Sequence, residues 1–162
     1  MKYWRLIVGI LLAVILLMPL SVQAASSSSV TRSILNEAGG EDFSGKNLIR
    51  AEFTSVTLRN ANFTNADLRG AVFNGVTLEG ANLHGVDLSS SLVYISQFKN
   101  VDLTDAILSD ANMLRSSFVN VDVTGADFTN ALLDTQQTRR LCVKASGTNS
   151  KTGVDTRESL GC

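Results

Sequence analysis

The chain has 162 residues, with 14 basic and 15 acidic groups, one proline and two cysteines. That length fits a single domain. The near-neutral balance, without a basic stripe, argues against a protein that grips nucleic acid by its phosphates.

Residues 1–24 read as a secretory signal peptide. Lys2 and Arg5 form a short positive start, Leu6 to Leu17 is an almost unbroken apolar run, and Pro19 ends it. Val22-Gln23-Ala24 then has the small-x-small pattern of a cleavage site. The run is shorter than the roughly 20 residues a membrane-spanning helix needs, so no membrane association is expected after cleavage. Cleavage after Ala24 removes Lys2 and Arg5 and leaves 12 basic and 15 acidic groups. Residues 25–40 read as a linker and N-terminal cap, with a short helix over 30–38 stopped by Gly39 and Gly40.

From Phe43 to Leu133 a large apolar residue recurs every five positions, 19 times without an insertion. We call this position the centre. Two residues before it, from Ala51 to Ala131, the chain carries only Ala, Val or Ser, 17 times in succession. Five is neither the helix period of 3.6 nor the strand period of two. On a helix the centres would scatter around the surface, and on a flat strand alternate centres would face opposite ways. A coil with a corner every five residues sends every centre inward. The small residue beside it prevents overfilling of the core. Gly and Asn at the corners, such as Gly70, Gly75, Asn60 and Asn65, suit turns.

The runs "ANFTN", "ADLRG", "ANLHG" and "ADFTN" resemble the pentapeptide-repeat family. The resemblance covers residues 41–135. It implies an all-β solenoid, a right-handed quadrilateral β-helix of about five coils with short α-helical caps. Residues 136–162 leave the repeat and read as a C-terminal cap. A helix is expected over 136–145, with Asp134 or Thr135 as N-cap and Gly147 beyond its end. Cys142 and Cys162 are the only cysteines, so any internal disulfide joins them. The run Thr152-Gly153-Val154-Asp155-Thr156-Arg157-Glu158-Ser159-Leu160-Gly161-Cys162 resembles the C-terminal segment of thylakoid-lumen pentapeptide proteins and their cyanobacterial relatives. That resemblance implies a Cys142–Cys162 disulfide pinning a two-helix cap, and an exported protein of the thylakoid lumen or periplasm.

Catalytic, cofactor and metal sites are not expected. His84 is the only histidine and follows a centre, so it should point outward. A metal site needs three or four convergent ligands. Asp102, Asp105, Asp110, Asp122, Asp127 and Asp134 read as solvated surface carboxylates. The family resemblance also raises a DNA-mimicking gyrase inhibitor as an alternative, since residues 41–135 carry 12 acidic and 6 basic groups. Against it stand the export signal and the cluster Lys46, Arg50, Arg59 and Arg69. A second alternative is a redox-responsive lumen protein whose disulfide a thioredoxin-like system reduces.

Four pentads per coil would stack positions 20 apart. One face then collects outward Val72, Leu92, Tyr94, Ile95, Leu114 and Leu132. Contiguous exposed apolar groups commonly mark contacts. Either a protein partner covers this patch, or the chain's own tail folds back over it. The leading expectation is a non-catalytic, exported interaction or scaffold protein with an unidentified protein partner.

Overall fold

The computed structural model describes residues 39–162. The signal-peptide reading of 1–24 and the helix expected over 30–38 lie outside the described residues.

The backbone explains how a period of five closes into a coil. The corner residue, two after each centre, has a positive φ between 51° and 71° at every pentad from Gly45 to Asn130. One left-handed residue per pentad turns the chain. Residues 20 apart then pair in parallel register, for example Asp42↔Asn62↔Asn82↔Asp102↔Asp122. The result is a quadrilateral β-helix with four faces. Face A has centres Phe53, Phe73, Val93, Met113 and Leu133. Face B has Leu58, Leu78, Phe98 and Phe118. Face C, opposite A, has Phe43, Phe63, Leu83, Leu103 and Val123, and face D has Leu48, Leu68, Leu88, Leu108 and Phe128.

The residue before the centre decides how each side is built. Where it is Asn or Asp, its side-chain oxygen accepts the backbone N–H two residues on, as Asn62 does from Thr64 at 3.1 Å and Asp102 from Thr104 at 2.8 Å. These Asx turns dominate faces C and D. Where that position holds another residue, the chain can stay extended, and all named strands lie on faces A and B. Face A carries β1 (Glu52–Thr54), β2 (Val72–Asn74) and β4 (Leu92–Tyr94). Face B carries β3 (Thr77–Glu79), β5 (Gln97–Lys99) and β6 (Ser117–Val119). Each sheet is three strands deep, fewer than the five coils expected, because isolated bridges continue face A beyond β4 through Asn112 to Leu132 and face B before β3 to Thr57.

The centres from Phe43 to Phe128 are buried, and Leu133 is half-buried under the cap. Phenylalanines stack coil on coil: Phe43 on Phe63 and Phe53 on Phe73 with ring centroids 4.7 Å apart, and Phe98 on Phe118 at 4.9 Å. Opposite faces meet edge-on across the core, as Phe53 of face A and Phe63 of face C do at 6.0 Å. Such pairs add about 0.5–1.5 kcal/mol each beyond the area they bury.

Two of the small residues do more than leave room. In the corner after β2 the Val76 N–H does not reach back to Phe73 to close the turn. It donates instead to Ser96 Oγ, one coil on, at 3.2 Å, and that hydroxyl lies 3.1 Å from Phe73 O and 3.2 Å from Tyr94 O. Ser116 Oγ does the same for the next corner, accepting from Ser96 N at 3.0 Å and donating to Val93 O at 2.8 Å. Each serine satisfies buried backbone groups that the open turn would orphan.

Two helices close the C-terminal end, α1 (Thr135–Cys142) and α2 (Thr156–Leu160). α1 ends three residues short of the expected boundary. Its N-cap is Asp134, but the carboxylate makes no cap bond, because Asp134 Oδ2 accepts Arg115 N at 2.8 Å. Leu141 is buried against the last coil, and Gln137 Oε1 accepts Phe118 N at 3.2 Å. In α2, Asp155 accepts Glu158 N at 3.0 Å, and Gly161 (φ 70°) ends the helix. Cys142 and Cys162 are joined by a disulfide with Cα atoms 5.6 Å apart.

Candidate interaction surface

The segment between the two helices does not cover face A. It runs down the corner between faces C and D. Asn149 is 1 % exposed, and its Nδ2 lies 3.1 Å from Asp105 O, 3.2 Å from Ala106 O and 2.8 Å from Gly125 O. Gly125 N donates to Ser146 O at 2.8 Å, and Ser150 N to Asp105 Oδ1 at 3.1 Å. Lys151 Nζ reaches one coil further and donates to Gly85 O at 2.6 Å. The tail is therefore a clasp over Gly85, Asp105 and Gly125, on the side of the solenoid away from the apolar patch.

Face A is left open to solvent among the described residues. Leu92, Ile95 and Leu132 are 40 %, 49 % and 53 % exposed, while Val72, Tyr94 and Leu114 are half-buried. Parallel register brings Val72 beside Leu92 and Asn74 beside Tyr94, and bridges continue Leu92↔Asn112↔Leu132. Asn112 interrupts the apolar column at one level, so the patch is not wholly hydrophobic. Ile49 and Val119 are exposed singly on faces D and B, and Val143 on the cap.

The structure adds a residue that the pattern of apolar side chains did not single out. Arg115 places its guanidinium beside the Tyr94 ring, 5.8 Å from the centroid, and Nη1 donates to Tyr94 Oη at 2.8 Å. Its place was readable from the 20-residue register, since it sits directly above Ile95.

Ile95 is itself unusual. It occupies the left-handed corner with φ 54°, where β-branched residues are disfavoured by roughly 1–2 kcal/mol. The other corners of the same column are Ser55, Gly75 and Arg115, and no other corner from Gly45 to Asn130 is β-branched. The chain thus places an exposed, strained apolar residue at the edge of its apolar face. Strain retained in this way clusters at binding sites.

Five of the six carboxylates lie at the surface as expected, exposed at Asp110 and Asp122 and half-buried at Asp102, Asp105 and Asp134, but they hold turns and contacts there, and Asp127 is buried. Asp102 and Asp122 hold Asx turns with Thr104 and Thr124. Asp110 accepts Asn130 Nδ2 at 3.2 Å, and Asp105 and Asp134 accept the backbone bonds described above. Asp127 is only 3 % exposed and satisfies Thr129 N and Oγ1 at 2.9 and 2.6 Å. Hydrogen bonds from Thr124 N and its hydroxyl hold Asp122 below the usual carboxylate range. The Arg69 guanidinium does the same for Asp67. His84 points outward and is half-buried, with Nδ1 2.7 Å from Thr104 Oγ1.

Exterior grooves run between Asn100, Asn120 and Lys144, about 520 Å³, and beside the disulfide at Leu133, Thr138 and Arg139, about 450 Å³. The carboxylates along the first, Asp102 and Asp122, are already committed to their turns. Among the described residues, no group of three or more His, Cys, Asp and Glu side chains is placed to hold a metal ion, and no helix is long and apolar enough to cross a membrane.

Comparison with known proteins agrees with this geometry. The family model for Pentapeptide repeats (8 copies) matches residues 42–70, 51–89 and 96–134. A pentapeptide repeat protein from the Arabidopsis thaliana thylakoid lumen superposes with a TM-score of 0.77 at 39 % identity, over 82 % of this chain and 93 % of that one. The Arabidopsis thaliana thylakoid lumenal protein TL20.3 is 60 % identical over 38 residues, which is 24 % of this chain and 14 % of that protein's length. The plasmid-mediated fluoroquinolone resistance protein QnrB1 superposes with a TM-score of 0.54 at 26 % identity, over 57 % of this chain and 46 % of that one. With its repeats matched over more than half its length and a solved relative aligned nearly end to end, the chain belongs to the pentapeptide-repeat family.

Proposed function

We propose that this protein is a non-catalytic, exported interaction protein of the thylakoid lumen, and that it holds a protein partner on face A. The observation that carries the reading is the apolar face itself. Leu92, Ile95 and Leu132 stay exposed while the tail clasps a different corner. A lumenal address is supported by the likeness to the two lumenal proteins of Arabidopsis thaliana. An acidic rod imitating DNA fits less well. Arg59, Arg69 and Lys99 pair with Glu79 and Asp67 on the outer faces, so negative charge is broken up along the solenoid. The test is capture from the native compartment with wild-type protein and with Leu92→Asp, an exposed change that leaves the core intact. The reading requires a partner recovered by the wild type and lost from the variant. Equal recovery would reject it.

A second reading is favoured by the disulfide's position. Cys162 is exposed, and the bridge borders an open groove, so a thioredoxin-like reductant has access. Partner capture that depends on reduction of this bond would support redox control, and indifference to reductant would argue against it.

A further inference from the structure

Face A has a size and a charge that restrict what it can hold, and from these we infer that its occupant is a short amphipathic helix carrying a carboxylate. The inference rests on the reading of face A as the contact surface. From Val72 to Leu132 the patch spans three coil steps, or about 15 Å at the spacing of neighbouring strands. From Leu92 to Ile95 it is about 10 Å wide. The planar area is on the order of 150 Å², far below the roughly 800 Å² per partner of a stable protein–protein interface. Two copies meeting through this patch alone would not form a lasting dimer. A single helix of about ten residues is about 15 Å long and 10–12 Å across, which matches the patch in both directions. Apolar side chains at three- and four-residue spacing would lie along Val72, Leu92 and Leu132.

The charge comes from Arg115. Its guanidinium lies at the patch edge beside Tyr94, 5.8 Å from the ring centroid, with one donor used on Tyr94 Oη; Asp134 accepts its backbone N–H, but among the described residues the guanidinium makes no ion pair. The donors that Tyr94 leaves unused belong to a planar group that can bind a carboxylate in two places. Tyr and Arg are also the residues most enriched among those that carry binding energy. An Asp or Glu flanking the helix's apolar stripe therefore meets Arg115, and a Lys or Arg there is repelled.

Two synthetic helix-forming peptides of about ten residues test this, each with a leucine stripe, one flanked by glutamates and the other by lysines. Binding is followed by amide and methyl chemical shifts on the full mature chain, with circular dichroism confirming that each variant is folded. The glutamate peptide should shift resonances of Leu92, Tyr94 and Leu132 in wild type. Leu92→Asp should weaken it by about tenfold or more. Arg115→Glu should reverse the preference, so that the lysine peptide binds better. Equal binding of both peptides, no binding of either, or indifference to Arg115→Glu would overturn the assignment. So would a dimer in sedimentation that Leu92→Asp dissociates, or a gain of about tenfold in peptide binding when residues 25–38 are deleted, which would name the chain's own N-terminal segment as occupant. Native partner capture separates the two readings. Loss with Leu92→Asp but not with Arg115→Glu removes the acidic helix and keeps the contact face. Indifference to both removes the face as well.

Discussion

Replacing Ser96 with alanine and replacing Ser91 with alanine should have opposite consequences. Both serines occupy the same pentad position in consecutive pentads, and both are almost fully buried. Alanine fills nine of the 17 small positions, so by pattern alone either change is harmless. The hydroxyls differ. Ser96 Oγ accepts Val76 N at 3.2 Å and donates toward Phe73 O at 3.1 Å, both groups of a turn that does not close on itself. Ser91 Oγ has no partner, because the corner one coil back that it would serve is already closed, Ala71 N donating to Leu68 O at 3.0 Å. Leaving a buried backbone donor or acceptor unsatisfied costs about 1–3 kcal/mol. Ser96→Ala orphans one of each and should cost about 2–4 kcal/mol. Ser91→Ala removes a hydroxyl already buried without a partner and should be neutral or stabilise by up to about 1 kcal/mol. Urea denaturation followed by circular dichroism measures both, with unchanged m-values as the check that the states compared are the same. Equal midpoints for the two variants would refute the reasoning that serine hydroxyls close the corners.

Other consequences follow from the same geometry. Phe73→Ala removes a ring stacked 4.7 Å from Phe53 and should cost about 3–5 kcal/mol by denaturation, whereas the outward neighbour change Asn74→Ala should cost under about 0.5 kcal/mol. Cys142→Ser opens a disulfide closing a 20-residue separation, worth about 3 kcal/mol in chain entropy. Hydrogen exchange should then show protection lost near Phe128 and Leu133 and kept near Phe63, since coils are stabilised mostly by their neighbours. Loss throughout would make the bond a control over the whole fold. Asp122 and Asp67 have depressed pKa values in the folded state, so their contribution is present above the unfolded carboxylate value and is lost as pH falls through the lower folded one. Stability should therefore decline below about pH 4. Asp122→Asn keeps the turn acceptor, as Asn62 and Asn82 do, and should flatten that decline in acid unfolding curves.

The period of five and the small residue two before each centre were enough to read the β-helix, because both are dictated by what an inward-facing side needs. The Asx turns were equally readable. Asn or Asp before the centre, against Val72, Thr77, Leu92 or Gln97 there, separates faces C and D from the stranded faces A and B. The role of Ser96 was not readable from the pentad, since it depends on which turns stay open one coil away. The route of the tail was hidden because it has no period. Nothing in the run around Asn149 says that its amide will reach three carbonyls in two coils. Burial of Asp127 is a consequence of that same cap, where Ser159 Oγ accepts Phe128 N at 3.1 Å. The apolar patch could be placed from register alone, but not its freedom from the tail, nor the bond from the Arg115 guanidinium to Tyr94 Oη.

The claim that face A is the working surface meets its most direct test in site-specific photocrosslinking within the native compartment. A photoreactive residue at Asn74, exposed on face A beside Val72 and Tyr94, should give one discrete protein adduct. The same probe at Asn82, exposed on the opposite face C, should not. Adducts of equal yield from both positions, or an adduct from Asn82 alone, would contradict the account.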